Sequence, residues 1–341
     1  MRIRSISIGG LWNKYNIEWT LNDKVNVLSG PNGAGKSTIV DAIRMLISED
    51  KLIENKTNSV EINFDNDTTY GAIHFLDTVK ELQKKQHESP AYLQLWSKVR
   101  KDLRNRPKNK SLDDINVDAS FRISKQKGKS IDPEKLLKQI KIDFIRTFDI
   151  ALPSSLIASK FDSYRSDGVN TELDLQLHEL QTQYSYYLAT LADALEREFF
   201  GKSTTVSADY VASLYANKNL FKHIVNEAFA ETGKEMIMRD GKLGFQIKST
   251  DTVLSLYQLS AGEKQLLHIL LTVLMEQRQE YILLMDEPEI SLHVDWQSKL
   301  IRNILLLNPK CQIVIVTHSP SLIIEGWQGC VQNIEEIKHN M

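Results

Sequence analysis

Alternation of apolar and polar residues predicts strands at the start of the chain. The runs "IRSISI" and "YNIEWTL" alternate in this way and are separated by the turn-like "GGLWNK". A third run, 24–28, leads directly into a glycine-rich stretch, and "SVEINF" and "YGAIHFL" are two further strand candidates joined at "DNDTT". We therefore expect an N-terminal antiparallel β subdomain.

Helical spacing is found in two places. Residues 37–48 carry apolar side chains on one side of a predicted helix. A longer helix begins at Leu173, where apolar residues recur at spacings of 4, 3, 4, 3, 4 and 3. These positions are Leu173, Leu177, Leu180, Tyr184, Tyr187, Leu191 and Ala194. Such an a/d pattern over three heptads predicts either a short coiled-coil hairpin, with 213–233 as the returning helix, or an amphipathic core helix.

The last third of the chain alternates helix and strand. "IDFIRTFDI" is a buried strand candidate, and "MIMRDGKLGFQI" is a β-hairpin by its Asp-Gly turn. After residue 254 we predict a helix at 262–278, a strand at 281–285, a helix at 291–307 and a strand at 312–317. Alternation of this kind indicates an α/β fold with a mostly parallel, helix-flanked sheet.

Charge is balanced over the whole chain but not along it. The 341 residues are 42% hydrophobic and 25% charged, with a net charge of −2, which is ordinary for a globular protein. Residues 80–141 hold 17 Lys and Arg against 8 Asp and Glu, a balance of +9. We interpret 77–140 as a basic insertion, which divides the chain into 1–76, 77–140, 141–235 and 236–341.

The basic insertion has two interpretations. Its cations could bind DNA phosphates or an acidic protein, with Tyr92 and Trp96 available for stacking, or they could simply be solvated. The cations concerned are Lys98, Arg100, Lys101, Arg104, Arg106, Lys108 and Lys110.

Nothing in the chain predicts secretion or membrane insertion. The two cysteines, Cys311 and Cys330, do not form a disulfide framework or a metal-ligand set. The most apolar stretch, 266–275, is far shorter than the about 20 residues of a spanning helix. We expect a soluble cytoplasmic protein with no membrane partner.

The glycine-rich stretch matches the P-loop pattern G-x-x-x-x-G-K-[S/T] between a strand and a helix. Its backbone N–H groups would bind a polyphosphate, Lys36 would reach the outer phosphates, and the Ser37 hydroxyl would ligate Mg²⁺. The predicted nucleotide-binding residues are Gly30, Pro31, Asn32, Gly33, Ala34, Gly35, Lys36, Ser37 and Thr38, and the motif alone does not say which nucleotide they bind.

The run "YILLMDEPE" is a buried strand that ends at two carboxylates. Parallel sheets bind ligands at the carboxyl ends of their strands. Asp286 would hold Mg²⁺ through water, and Glu287 would orient and deprotonate the attacking water. The alternative is an acidic start to the following helix.

Two further motifs complete a resemblance. "LSAGEKQ" resembles the signature motif of ABC-type ATPases, and "IVIVTHSPSLI" places His318 after a strand. In that family the signature helix contacts ATP held by a second subunit, and the histidine links the γ-phosphate to the catalytic glutamate. The resemblance implies a head-to-tail dimer, possibly a higher oligomer, with Ser260, Ala261, Gly262 and Glu263 at the ATP. Ser260 and Glu263 also fit a plain capping box.

The resemblance also implies a branch of the family. "EPEISLH" and "THSPSLI" are similar to RecF-, OLD- and SMC-like ATPases, and to the ATPase subunits of two-component anti-phage systems of the PARIS AriA and Septu or retron PtuA types. Ser291–His293 corresponds to the D-loop at the dimer interface. Arg146 and Thr147 stand where the family has its glutamine loop. We expect no nuclease domain in this chain, because only 23 residues follow His318.

These motifs predict an ABC-type P-loop NTPase head with a helical insertion. We expect an ATP-dependent switch or sensor for a separate effector, a nuclease or toxin encoded nearby. The alternatives are a RecF- or SMC-like ATPase acting directly on DNA, and a nucleotide-bound scaffold with little turnover.

Overall fold

The computed structural model describes residues 1–48, 57–78, 116–146, 168–202, 206–239 and 241–341. These residues form two compact units. The first contains Met1–Lys141 and Gln332–Met341, and the second contains Ile142–Val331.

The first unit is built on a seven-stranded antiparallel sheet, which confirms the predicted N-terminal β subdomain. Buried residues alternate with less buried ones along β1 and β4, as Ile6 and Ile8 show in the first strand, so one face of the sheet packs into the core. Six strands of the sheet are β1 (Ile3–Leu11), β2 (Tyr15–Thr20), β4 (Ser59–Phe64), β5 (Thr68–Thr78), β6 (Asn116–Gln126) and β7 (Lys129–Ser130). Strand β3 (Val25–Ser29) belongs to the same unit but lies outside this sheet. After the short strand β14 (Val331–Asn333), the last strand, β15 (Lys338–Asn340), pairs with β2, and the sheet order is β15-β2-β1-β4-β5-β6-β7.

Strand β3 carries the chain into the glycine loop. It is buried along most of its length, and helix α1 (Lys36–Ile47) begins directly after the loop. Helix α1 buries Ile39, Ile43 and Leu46 on one face, as its spacing predicted. Two short helices also belong to this unit, α2 (Pro133–Leu137) and α7 (Ile334–Ile337).

The basic insertion is only partly described. Residues 116–126 and 129–130 form β6 and β7, which extend the antiparallel sheet beyond β5. The period-2 pattern of "NVDASFRISKQ" was missed because its charge suggested exposed loops. The cations from Lys98 to Lys110, with Tyr92 and Trp96, lie outside the described residues, so their role and the four-part domain division stay predictions.

Three parallel strands form the centre of the second unit. These are β8 (Ile142–Arg146), β12 (Tyr281–Asp286) and β13 (Cys311–Val316). Strand β12 pairs with both others, so Asp286 at its end lies beside Arg146 and Val316. Strands β12 and β13 are almost wholly buried, which explains their continuous apolar sequences.

Among the described residues, four long helices belong to the same unit. They are α3 (Glu172–Lys202), α4 (Ala208–Ala228), α5 (Ala261–Met275) and α6 (Val294–Leu307), and α6 packs against β13. Helix α6 begins three residues later than predicted, because 287–293 forms turns. Helix α5 is buried on nearly all sides, in keeping with its apolar sequence.

The heptad pattern marks the buried face of α3. The rings of Tyr184 and Phe221 lie 5.9 Å apart, and Tyr210 Oη donates to the Ala194 carbonyl. Helices α3 and α4 therefore form the predicted antiparallel hairpin. Helix α3 also packs against α5, and six of the seven heptad residues are buried, so the seam belongs to the core as well as to the hairpin.

A small antiparallel sheet completes the second unit. It contains β9 (Lys234–Arg239), β10 (Lys242–Ile247) and β11 (Val253–Ser255), and β9 and β10 form the predicted hairpin. Within the residues that the structure describes, no helix has both the length and the apolar character needed to cross a bilayer.

Candidate active site

The glycine loop has backbone angles that residues with a Cβ atom rarely adopt. Gly30, Gly33 and Gly35 have φ angles of 145°, 76° and 103°, which strongly favour glycine. A Cβ on Gly30 would lie 2.6 Å from Ile334 Cγ2, and one on Gly35 would lie 3.0 Å from Trp12 Cη2. Both the conformation and the packing of the loop therefore depend on glycine.

Lys36 is buried inside this loop. Its Nζ donates to the carbonyls of Gly30 and Pro31 at 3.0 and 2.9 Å, so the ammonium group lies within the curve of the chain. Gly35 is the N-cap of α1 and offers no side-chain acceptor to the first-turn N–H groups. A helix start of this kind, together with a cation, is suited to bind an anion.

The remaining P-loop residues are accessible to a ligand. Pro31, Asn32, Gly33 and Ser37 are exposed, while Ala34 and Thr38 are half-buried. An exposed hydroxyl at Ser37 is an oxygen ligand of the kind that Mg²⁺ prefers.

Asp286, Glu287 and His318 lie together in the second unit. Asp286 is the last residue of β12, and the Glu287 N–H donates to the Val316 carbonyl at the end of β13 at 2.8 Å. His318 Nε2 lies 3.5 Å from Glu287 Oε1. The sequence predicted both groups, and the parallel strands bring them into contact.

Glu287 has an unusual backbone. Its φ is 49°, in the left-handed region that costs a non-glycine residue about 1 kcal/mol. Such strain persists only where surrounding contacts enforce it, and it is concentrated at functional sites. The turn directs the glutamate side chain towards His318.

Ser260 begins α5 with a complete capping box. Ser260 Oγ accepts from the Glu263 N–H at 3.3 Å, and Glu263 Oε2 accepts from the Ser260 N–H at 2.9 Å. Lys234 donates to Glu263 Oε1 at 2.6 Å, and Lys264 lies 2.7 Å from buried Asp174. Two ion pairs therefore anchor the start of the signature helix.

Gly262 brings this helix start against the predicted D-loop. A Cβ at Gly262 would lie 2.2 Å from the Ser291 carbonyl oxygen, a backbone atom that cannot easily move aside. The signature segment and Ser291–His293 are therefore in direct contact.

The shifted pKa of Glu263, the acidic member of the capping box, makes the stability of the protein depend on pH. Burial raises the pKa of Glu263, but hydrogen bonds from Lys234, Ser260 and Thr232 outweigh it and leave the pKa below its ordinary value. The carboxylate therefore contributes stability above the ordinary glutamate pKa, and this contribution is lost as the pH falls through the lowered value.

We expect Glu263→Gln to cost about 3 kcal/mol at neutral pH, because Lys234 keeps a buried charge without its carboxylate. The variant should also lose this part of the acid dependence. Urea unfolding at neutral and acidic pH measures both effects. The control Glu235→Gln removes a carboxylate paired with exposed Lys248 and should change stability by less than about 1 kcal/mol. Equal losses in the two variants would contradict the role of Glu263.

The sequence did not single out three polar residues near these motifs. Gln265 Nε2 donates to the Arg146 carbonyl at 3.4 Å, close to where the family's glutamine loop was expected; Thr147 lies outside the described residues. Glu289 and Gln297 hydrogen-bond the loop that carries His318. Glu289 stands within the quoted "DEPE", yet only the folded chain shows that it is buried.

A P-loop between β3 and α1, an Asp-Glu pair at the end of a buried parallel strand, and a capped signature helix define an ABC-type P-loop ATPase head. The chain belongs to the family described as "AAA domain, putative AbiEii toxin, Type IV TA system", whose model matches residues 25–325.

Comparisons with known proteins found one curated relative and several similar solved structures. The chain is 23% identical to the Septu protein PtuA of Bacillus thuringiensis over 354 residues, covering 94% of this chain and 72% of that protein. The SMC head domain from Thermotoga maritima is 12% identical with a TM-score of 0.45, covering 98% of this chain and 94% of that one. An Smc head domain from Pyrococcus furiosus, bound to the C-terminal domain of ScpA, is 12% identical with a TM-score of 0.44, covering 95% and 91%.

Proposed function

We propose that this protein binds ATP with Mg²⁺, hydrolyses it, and acts as an ATP-dependent switch for a separate effector in the cytoplasm. The observation that carries the proposal is the glycine loop with Lys36 buried inside it. The loop N–H groups and Lys36 bind the phosphates, and Ser37 and Asp286 supply oxygen ligands for Mg²⁺.

Hydrolysis requires an activated water. Glu287 orients this water and accepts its proton, and His318 contacts the γ-phosphate while it holds Glu287. The 3.5 Å separation of Glu287 Oε1 and His318 Nε2 supports this assignment. Mg²⁺ neutralises phosphate charge when it is bound.

We propose that two chains pack head to tail, with Ser260, Ala261, Gly262 and Glu263 of one chain facing the ATP of the other. The capped start of α5 supports an anion-binding role. Exposed apolar residues beside the D-loop, Ile290 and Val294, offer apolar area to a second copy of this chain.

ATP-dependent dimerisation gives a direct test. With a non-hydrolysable ATP analogue, the mass measured by light scattering should double from 39.0 kDa. Gly262→Ala should weaken the dimer about tenfold or more, because the added Cβ must displace Ser291, which lies in the proposed interface, and overpacking of this kind costs about 1–3 kcal/mol.

Gly329→Ala is the matched control, since its Cβ would meet no atom within 4 Å, and it should dimerise normally. Gly262→Ala should still bind the analogue through its P-loop. A wild-type protein that stays monomeric with bound analogue would contradict the dimer.

The effector is proposed from similarity to a defence ATPase. The Septu protein PtuA relative supports a role in anti-phage defence, with a nuclease or toxin as the partner. Expression from the native operon should recover the neighbouring gene product with this chain. Recovery of the chain alone, with ATP turnover stimulated by DNA, would favour direct action on DNA instead.

A further inference from the structure

A buried carboxylate holds the loop that carries His318. Glu289 is only 8% exposed, and its Oε1 accepts three hydrogen bonds. The donors are the Thr317 hydroxyl at 2.5 Å and the backbone N–H groups of His318 and Ser319 at 3.0 and 3.2 Å. One oxygen atom therefore sets the position of three consecutive residues.

These three donors stabilise the negative charge of the Glu289 carboxylate. Its Oε2 is buried and makes no hydrogen bond within the described part of the chain. A buried carboxylate is costly unless oriented donors stabilise it, and hydrogen bonds to an ionised acceptor are roughly twice as strong as neutral ones. Glu289 therefore holds the His318 backbone more firmly than a neutral acceptor would.

Gln297 connects the loop 317–319 to the segment that contains the D-loop. Gln297 on α6 donates from Nε2 to the carbonyls of Glu289 and Leu292 at 3.3 and 2.9 Å. Its Oε1 accepts from the Ser319 hydroxyl at 2.7 Å. The segment 289–292, helix α6 and the loop 317–319 thus form one hydrogen-bonded network.

We propose that Glu289 is a positioning residue for ATP hydrolysis, which acts through His318 and couples it to the D-loop through Gln297 and Ser319. This inference rests on the proposed function, because it concerns the same hydrolytic site. Since residues 291–293 are proposed to lie in the dimer interface, a shift of that segment moves Glu289, and with it the contact between His318 and Glu287.

Steady-state kinetics of Glu289→Gln test the assignment. The amide keeps an acceptor at Oε1 but loses the charge and puts an unpartnered NH₂ group in place of Oε2. We expect kcat to fall about tenfold to a hundredfold, as small misplacements of catalytic groups do. The KM for ATP should change less than about twofold. Glu196→Gln, an exposed change on α3, should leave both constants unchanged.

A double-mutant cycle separates positioning from simple stability. Adding Glu289→Gln to His318→Ala should lower kcat no further, because Glu289 acts through His318. Additive losses would overturn the proposal, as would a rise in KM that accompanies a lower kcat and a lower melting temperature.

Ser319→Ala provides an independent variant in case Glu289→Gln fails to fold. It removes the hydroxyl that donates to Gln297 Oε1 and accepts from the Ser321 N–H, and it should lower kcat. Ser298→Ala, whose hydroxyl donates to the Asp295 carbonyl within α6, should not. Normal kcat in Ser319→Ala would overturn the coupling.

The two failures are distinguishable. If wild-type protein hydrolyses ATP no faster than Lys36→Ala, the proposed function fails, and this inference fails with it. If wild-type protein turns over ATP and both Glu289→Gln and Ser319→Ala match it, only the role of Glu289 and its network is overturned.

Discussion

Lys36→Ala should abolish ATP binding and turnover. The ammonium group of Lys36 is held inside the glycine loop by the Gly30 and Pro31 carbonyls, where it meets the outer phosphates in the proposed complex. A hydrogen bond to a charged group contributes about 1.5–3 kcal/mol, so two such bonds to phosphate account for about a hundredfold or more in affinity.

Fluorescent-nucleotide titration measures this loss, and circular dichroism checks that the fold persists. Lys24→Ala is the matched control, because Lys24 is an exposed lysine of the same unit, and its affinity should equal that of the wild type. If Lys36→Ala bound ATP as tightly as the control, the nucleotide site would lie elsewhere.

Glu287→Gln should stop hydrolysis while ATP stays bound. A general base contributes about a hundredfold or more to rate, and the amide cannot accept the proton from water. The substitution preserves side-chain size and meets the same left-handed backbone, with φ of 49°, so the fold should be unchanged. Phosphate release should therefore fall by about two orders of magnitude.

The same variant should accumulate the ATP-bound dimer. Light scattering with ATP, rather than an analogue, should detect a persistent dimer for Glu287→Gln and a transient one for wild-type protein. Glu196→Gln should behave as wild type in both assays. Normal turnover in Glu287→Gln would exclude Glu287 as the base, and full biological function without turnover would favour the scaffold alternative.

Local motifs predicted the site residues because their chemistry depends on neighbours in sequence. The P-loop needs glycine at particular φ angles within eight residues, and the capping box joins Ser260 to Glu263 within one helical turn. The strand that delivers Asp286 and Glu287 was visible as an uninterrupted apolar run. Each of these predictions requires only short-range geometry.

The Glu289 network could not be predicted in this way. Its partners are Gln297, eight residues away, and the loop 317–319, about thirty residues away. The buried pair between Lys264 and Asp174 joins residues 90 positions apart. Tertiary packing alone decides that these carboxylates are buried, and a charged residue in the sequence predicts exposure instead.

Gln332–Met341 complete a unit that begins with Met1. Strand β15 pairs with β2, and Ile334 packs directly against Gly30 at the start of the glycine loop. During synthesis, Ile334 can therefore pack against the glycine loop only after the ribosome has released these residues. The second unit, Ile142–Val331, is translated in the interval. A nascent chain would thus gain tight affinity for ATP only after residues 332–341 have been translated, and removal of Gln332–Met341 would leave the glycine loop without the contact to Ile334.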